Sequence, residues 1–326
     1  MTSRLALLAA VAAALTAALP TPGHTLAPAV APASAEAAAI VTRLRLTLPD
    51  GDGPAIEGGV WLPVGAVPGA RVPLVVISHG NGGSWTGHAA TAEALARAGF
   101  MVAAISHTGD NYRDQSRATE VAERPRQLKR LIDYMVEAGA GGLQVDPDRI
   151  GAFGFSSGGF TVLAAAGGRP DLTRVIDHCR ANPGFYDCRL VAAQGASATA
   201  YDPEWTHDSR IRAVVAAAPA LGYTFGPEGL ADVDAPVQLW RPSRDRVLPH
   251  PFYAQAVHDA LPTPPEYHVV EGADHFDMMP PCSPELAAAA PVVCAPTPGF
   301  DRAAFQQDFN AGVVAFFVRT LAVSGS

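Results

Sequence analysis

The segment Gly154-Phe155-Ser156-Ser157-Gly158-Gly159-Phe160 follows directly on the apolar run Ile150-Gly151-Ala152-Phe153. A G-x-S-x-G stretch that ends a strand and opens a helix holds its serine in a tight turn, and small residues are needed on both flanks where the backbone folds close upon itself. Gly154 and Gly158 occupy those places. The Ser156 hydroxyl would then stand at the carboxyl edge of a sheet, with the amide of Ser157 at a helix start facing developing negative charge. These are the parts of an acyl-transfer site. Glycine-rich chains also produce this short pattern in loops, so its context decides. Here an apolar run precedes it, and a small-residue helix, Phe160 to Ala166, follows and stops at Gly167-Gly168.

A serine nucleophile needs a base to take its proton and a carboxylate to orient that base. In doubly wound sheets that carry such a serine the chain order is Ser, then Asp or Glu, then His. Behind the apolar run Val237-Gln238-Leu239-Trp240 comes Arg241-Pro242-Ser243-Arg244-Asp245-Arg246, which sets Asp245 just beyond a strand end. Behind Tyr267-His268-Val269-Val270 comes Glu271-Gly272-Ala273-Asp274-His275, which does the same for His275. Asp245, flanked by two arginines, also reads as a solvated member of a charged loop. The rival Asp274 adjoins the base in sequence and is poorly placed to grip its ring. Of the other histidines, His24 lies in the leader region, His178 and His207 in an irregular stretch, His268 inside a strand, and His250 and His258 follow the acid loop too early.

Directly after the apolar run Leu74 to Ile77 stands Ser78-His79-Gly80-Asn81-Gly82-Gly83. It has no Walker lysine, so phosphate cradling is not supported. Beside a serine-bearing turn, such a loop supplies the second backbone donor for an oxyanion, which makes the amides of Asn81 and Ser157 the expected pair. His79 reads as a support for the loop rather than a reacting group. The one lysine, Lys129, falls in the amphipathic pattern Leu128, Leu131, Ile132, Met135, where it faces water; Schiff-base and Ser-Lys chemistry are therefore disfavoured.

The elements that must position these residues alternate along the chain. Val41 to Leu48 and Gly58 to Pro63, joined by Pro49-Asp50-Gly51-Asp52-Gly53, read as an antiparallel hairpin. Next come a strand (Leu74 to Ile77), a helix (Ala89 to Ala98), a strand (Phe100 to Ile105), a helix (Val121 to Ala138), a turn at Asp146-Pro147-Asp148, and the strand that delivers Ser156. Strand character returns at Ala213 to Ala217, Val237 to Trp240 and Tyr267 to Val270, and a helix from Phe305 to Leu321 closes the chain. Continuous apolar strands between helices imply an α/β fold with a mostly parallel, doubly wound sheet covered on both faces. Between Arg169 and Arg210 the regular pattern lapses, which reads as an insertion (169–210) near the site.

The chain has 326 residues, 48% of them hydrophobic, enough for one α/β domain over 36–326. Arg4 ahead of an apolar block from Leu5 to Leu19, with Ala33-Ser34-Ala35 further on, reads as a signal peptide over 1–35. No later segment has the length of a membrane helix. The expectation is a secreted or periplasmic protein without a stable membrane span. Net charge is −8 and no basic tract follows a phosphate backbone, so nucleic acid is not an expected partner. The four cysteines form two local pairs, Cys179 with Cys188 and Cys282 with Cys294, and in an exported chain such pairs become disulfides. Three connectivities exist; the local one is favoured because each bridge closes a short loop that has little else to hold it. The spacing of His178 and Cys179 matches no standard zinc pattern, and neither metal nor cofactor is expected.

With these residues assembled, the chain resembles the α/β-hydrolase superfamily, and within it the bacterial predicted dienelactone hydrolases that are similar to platelet-activating-factor acetylhydrolases. The resemblance runs from about Val41 onward. It is carried by Ser78-His79-Gly80-Asn81-Gly82-Gly83, by Gly154-Phe155-Ser156-Ser157-Gly158-Gly159, and by His275-Phe276-Asp277-Met278-Met279-Pro280-Pro281-Cys282. It implies Ser156 as nucleophile, Asp245 as acid, His275 as base, and Asn81 with Ser157 as oxyanion donors. Dienelactone hydrolases proper use a cysteine, whereas this turn carries serine, which points away from a lactone; the acetylhydrolase resemblance implies short or oxidised acyl esters instead. The expectation is an exported serine esterase acting on a small-molecule or lipid ester. A polyester hydrolase, a serine peptidase and a binding protein on an inactive hydrolase fold are the alternatives.

Overall fold

A computed structural model of the chain describes residues 40–195 and 204–322; the expected signal peptide lies outside the described residues. Eight strands form one sheet: β1 (Arg43–Leu48), β2 (Ile56–Trp61), β3 (Arg71–Ser78), β4 (Met101–Ile105), β5 (Gln144–Phe155), β6 (Ile211–Ala217), β7 (Val237–Pro242) and β8 (Glu266–Val270). Their order across the sheet is β1-β2-β4-β3-β5-β6-β7-β8. The expected hairpin is present, with β1 antiparallel to β2 and β2 antiparallel to β4. From β4 to β8 every pairing is parallel.

The inner parallel strands bury both faces, and their residues divide by parity, while β8 is a half-exposed edge. Leu74 and Val76 of β3, Ile150 and Ala152 of β5, and Val214 and Ala216 of β6 pack into one core. Val75 and Ile77, Phe153 and Phe155, and Val215 and Ala217 pack into the other. This follows from a side-chain period of two on strands with no solvated face. The first core is covered by α2 (Glu123–Ala138) and α3 (Ser157–Ala165). The second is covered by α1 (Ala89–Arg97) and the closing helix Arg302–Thr320, whose stripe of Phe309, Val313, Phe316 and Phe317 is fully buried. Lys129 lies on the outer side of α2, half-exposed and paired with Asp133 at 2.9 Å.

Two local expectations need correction. The turn at Asp146-Pro147-Asp148 does not separate β5 from what precedes it. Val72 of β3 pairs with Val145 and Leu74 with Ile150, so residues 146–149 bulge out of a continuing strand. The excursion is held by Arg149 on Asp146 at 2.8 Å and keeps Pro147, which lacks a donor, out of the ladder. The stretch 169–210 is not irregular throughout either: α4 (Arg174–Ala181) and α5 (Tyr186–Ala193) lie within it. A disulfide between Cys179 and Cys188 staples the two helices, which are each too short to be stable alone. Cys282 and Cys294 form the second bridge, so both local pairings are present.

Among the described residues no helix is long and apolar enough to cross a membrane. Phe309 sits where the closing helix meets the sheet, with ring centroids 4.9 Å from Trp240 and 6.1 Å from Phe153. Phe309→Ala should therefore cost about 3 to 5 kcal/mol in a urea titration. A loss below about 1 kcal/mol would contradict this packing.

Candidate active site

Ser156 lies between β5 and α3 with φ 55° and ψ −120°, a left-handed backbone that an L-residue adopts only when its surroundings enforce it. Those surroundings are visible. The Ser156 N–H donates to the Ala217 carbonyl at 2.9 Å, and its own carbonyl accepts from Ala220 at 3.0 Å. The chain crosses so tightly that a Cβ on Gly154 would stand 2.0 Å from the Gly158 carbonyl oxygen, and one on Gly158 would stand 1.9 Å from that of Ser78. Glycine is the residue that fits at both points.

Ser156 Oγ is 3.1 Å from His275 Nε2, and His275 Nδ1 is 2.8 Å from Asp245 Oδ2. All three side chains are buried or nearly so. The other Asp245 oxygen accepts the backbone N–H groups of Val247, at 2.9 Å, and Leu248, at 2.7 Å, so the carboxylate is fixed before it meets the ring. The imidazole rests on Phe155, with centroids 4.8 Å apart. Since both loops leave the carboxyl ends of β7 and β8, the parallel sheet brings three residues spread over 119 positions to one edge.

Asp274, read from the sequence as a loop residue, joins the two loops. Its carboxylate accepts the backbone N–H of Arg246 at 2.9 Å and of His275 at 2.8 Å, and also takes the Arg246 guanidinium. Burial pushes its carboxyl up, but these donors outweigh burial and hold it below the ordinary range. Asp277 secures the same turn by accepting the Asp274 N–H at 2.9 Å and by pairing with Arg302 of the closing helix at 2.9 Å.

The glycine-rich loop after β3 passes against the serine: a Cβ on Gly80 would stand 3.2 Å from Ser156 Cβ. Among the described residues neither the Asn81 nor the Ser157 N–H has an acceptor within the protein. For Ser157, the first residue of α3, this is the usual state of a helix start. An arrangement of a hydrogen-bonded Ser-His-Asp chain beside two unused amides can deprotonate a hydroxyl and receive a developing oxyanion.

Beneath this loop lies a polar network that the sequence reading missed. Arg124 pairs with Asp110 at 2.5 Å with both side chains almost wholly buried. Asp110 Oδ1 accepts Asn81 Nδ2 at 2.7 Å and the Gly82 N–H at 2.8 Å. Arg124 also donates to the His79 carbonyl, and to Thr161 Oγ1 at 2.9 Å. Arg124 sits on the inner face of α2, whose outer face is charged, and nothing in the sequence marks it as buried. His79 Nδ1 donates to the Gly80 carbonyl at 2.6 Å while its Nε2 accepts the His107 N–H at 3.0 Å, so the ring is neutral. His107 in turn bridges Ser78 Oγ at 2.8 Å and Gln127 Oε1 at 3.0 Å.

His178, Asp187 and Cys188 also come together, with potential ligand atoms within 4.8 Å of one another. Their donors are already used: the Cys188 sulfur is in a disulfide, and the two Asp187 oxygens accept the hydroxyls of Tyr253 and Tyr223, each at 2.9 Å. The cluster is a structural anchor for α5 and does not fit a metal ion.

Burial pushes the His79 imidazole down to about 4, helped by the Arg124 charge, and His88 down to about 3; His107 is also held well below its ordinary value by burial. These rings are neutral in the folded chain but titrate near 6.5 when it unfolds. Stability is therefore full above pH 6.5 and falls as pH drops below it, each ring contributing a slope of about 1.4 kcal/mol per pH unit until its folded pKa is reached. Urea midpoints measured from pH 7.5 to 4.5 should fall steadily below pH 6.5. A flat profile between pH 7 and 5 would contradict the neutral histidines.

The family model for the prolyl oligopeptidase family matches residues 85–212, a span that holds Ser156, α4 and α5 but ends before Asp245 and His275. No curated protein shows a significant match to the chain. That family is one of serine hydrolases. With the mostly parallel eight-stranded sheet and the serine-bearing turn, the match supports a place for this chain in the α/β-hydrolase superfamily.

Proposed function

We propose that this protein is an exported serine esterase that cleaves carboxylic esters through an acyl-enzyme on Ser156. The observation that carries the reading is the unbroken relay Ser156 Oγ to His275 Nε2 at 3.1 Å and His275 Nδ1 to Asp245 at 2.8 Å. Ser156 Oγ attacks the ester carbonyl carbon as its proton passes to His275 Nε2, and Asp245 holds the imidazolium. The carbonyl oxygen takes the negative charge against the amides of Asn81 and Ser157. His275 then returns the proton to the departing alkoxide as the C–O bond breaks. Water, deprotonated by the same ring, releases the acid and restores Ser156.

The preference for short-acyl or lipid-like esters comes from the likeness to acetylhydrolases carried by the two glycine-rich segments and the His275 to Cys282 stretch. Export is favoured by the two disulfides, which persist in oxidising compartments. A peptidase is the second reading, and the prolyl oligopeptidase match over residues 85–212 is what favours it. The same triad serves amides, so the two readings separate on substrate alone.

Steady-state rates on p-nitrophenyl butyrate and on peptide p-nitroanilides decide between them. Esters should be the better substrates, and Ser156→Ala should lower ester turnover by about 10³-fold or more with an unchanged melting temperature. Asp245→Asn should cost about as much. Undiminished hydrolysis by Ser156→Ala would overturn the catalytic assignment, and turnover of the anilides alone would make the protein a peptidase.

A further inference from the structure

We propose that Tyr186 is a positioning residue of this site, holding the oxyanion loop in place from the disulfide-stapled insertion. The inference rests on the reading of Ser156 as nucleophile. Tyr186 is the first residue of α5, and its hydroxyl donates to Asn81 Oδ1 across 105 positions of sequence. The opposite end of the same side-chain amide donates to Asp110 Oδ1 at 2.7 Å. Asn81 is thus gripped on both sides, by the insertion above and by the buried ion pair below.

The grip from above is only as firm as α5, and α5 is fixed at three points. Asp187, next to Tyr186, accepts the hydroxyls of Tyr223 and Tyr253. Cys188 is bonded to Cys179 of α4. At the far end Gln194 accepts from Thr119 Oγ1 at 2.9 Å and donates to the Gln115 carbonyl. Tyr186 is 37% exposed, its ring partly covered, and its hydroxyl makes the polar contact to the loop. Burial of the phenol oxygen and the nearby Asp110 charge raise its pKa, which keeps it a donor.

The loop it holds carries glycine at 80, 82 and 83 and has wide backbone freedom. A donor amide in such a loop contributes to catalysis only if it is held where the oxyanion will form. The tether matters for transition-state stabilisation more than for substrate binding.

Tyr186→Phe keeps the ring and removes the donor. With p-nitrophenyl butyrate it should lower kcat about five- to tenfold while KM stays within about twofold, as expected for loss of one positioning hydrogen bond. Affinity for an aryl trifluoromethyl ketone, whose adduct with a serine presents an oxyanion, should weaken by the same factor. The Cys179→Ser, Cys188→Ser double variant should show the same kcat loss, and adding Tyr186→Phe to it should change little further. Unchanged kcat and inhibitor affinity in Tyr186→Phe would overturn the proposal, as would an effect confined to KM, which would make Tyr186 a substrate contact. Ester turnover retained by Ser156→Ala would instead remove the nucleophile reading, and the positioning role with it.

Discussion

The buried pair of Arg124 and Asp110 is the constraint on which the surroundings of Ser156 depend. Taking both charges out of water costs several kcal/mol per ion, and mutual attraction repays this only when every remaining donor and acceptor is matched. Here they are matched by the site itself. Asp110 holds Asn81 and Gly82, while Arg124 holds the His79 carbonyl and Thr161, and Thr161 in turn donates to the Ser157 carbonyl at 2.7 Å. One guanidinium therefore spans the loop after β3 and the first turn of α3, the two segments that bear the unused amides. Removing either charge would leave the other buried and unpaired, a penalty of about 3 to 5 kcal/mol falling on the glycine-rich loop.

The opposite side of the site is built differently, from hydrogen bonds between neighbouring loops. Ser243 Oγ accepts the Gly272 N–H at 2.8 Å, the Arg244 N–H donates to the Ala273 carbonyl at 2.9 Å, and Asp274 takes Arg246. The loops that carry Asp245 and His275 thus form one unit, and Asp277 fastens it to the closing helix. The closing helix also supplies Phe309 and its neighbours to the sheet face beneath. Packing of that face and placement of the imidazole are linked through a single element.

Much of this was legible in the sequence because it depends on local pattern. Parallel buried strands show as continuous apolar runs, as in the run ahead of Ser156; β7 is interrupted by Gln238 and β8 is a half-exposed edge, so Asp245 and His275 are found from chain order and position beyond a strand end. Glycine at 154 and 158 is dictated by close approach of the backbone, which leaves its mark directly in residue type. What sequence could not supply was long-range pairing of polar residues. Asp110 and Arg124 look like ordinary members of a loop and of a charged helix, and their burial follows from tertiary packing alone. The same holds for Tyr186 and Asn81, and for Asp187 beneath its two tyrosines. The order within 169–210 was hidden for another reason: α4 and α5 are only eight residues each, short of a clear periodic pattern, and are bridged by Cys179–Cys188.

We propose that Ser156 is a nucleophile activated by its buried relay. The most direct measurement is mass spectrometric mapping of the intact protein after treatment with a fluorophosphonate, which loses fluoride to an activated serine oxygen. One stoichiometric adduct on the peptide that contains Ser156 is expected, formed far more slowly in Asp245→Asn. No adduct, or an adduct on another residue, would contradict it.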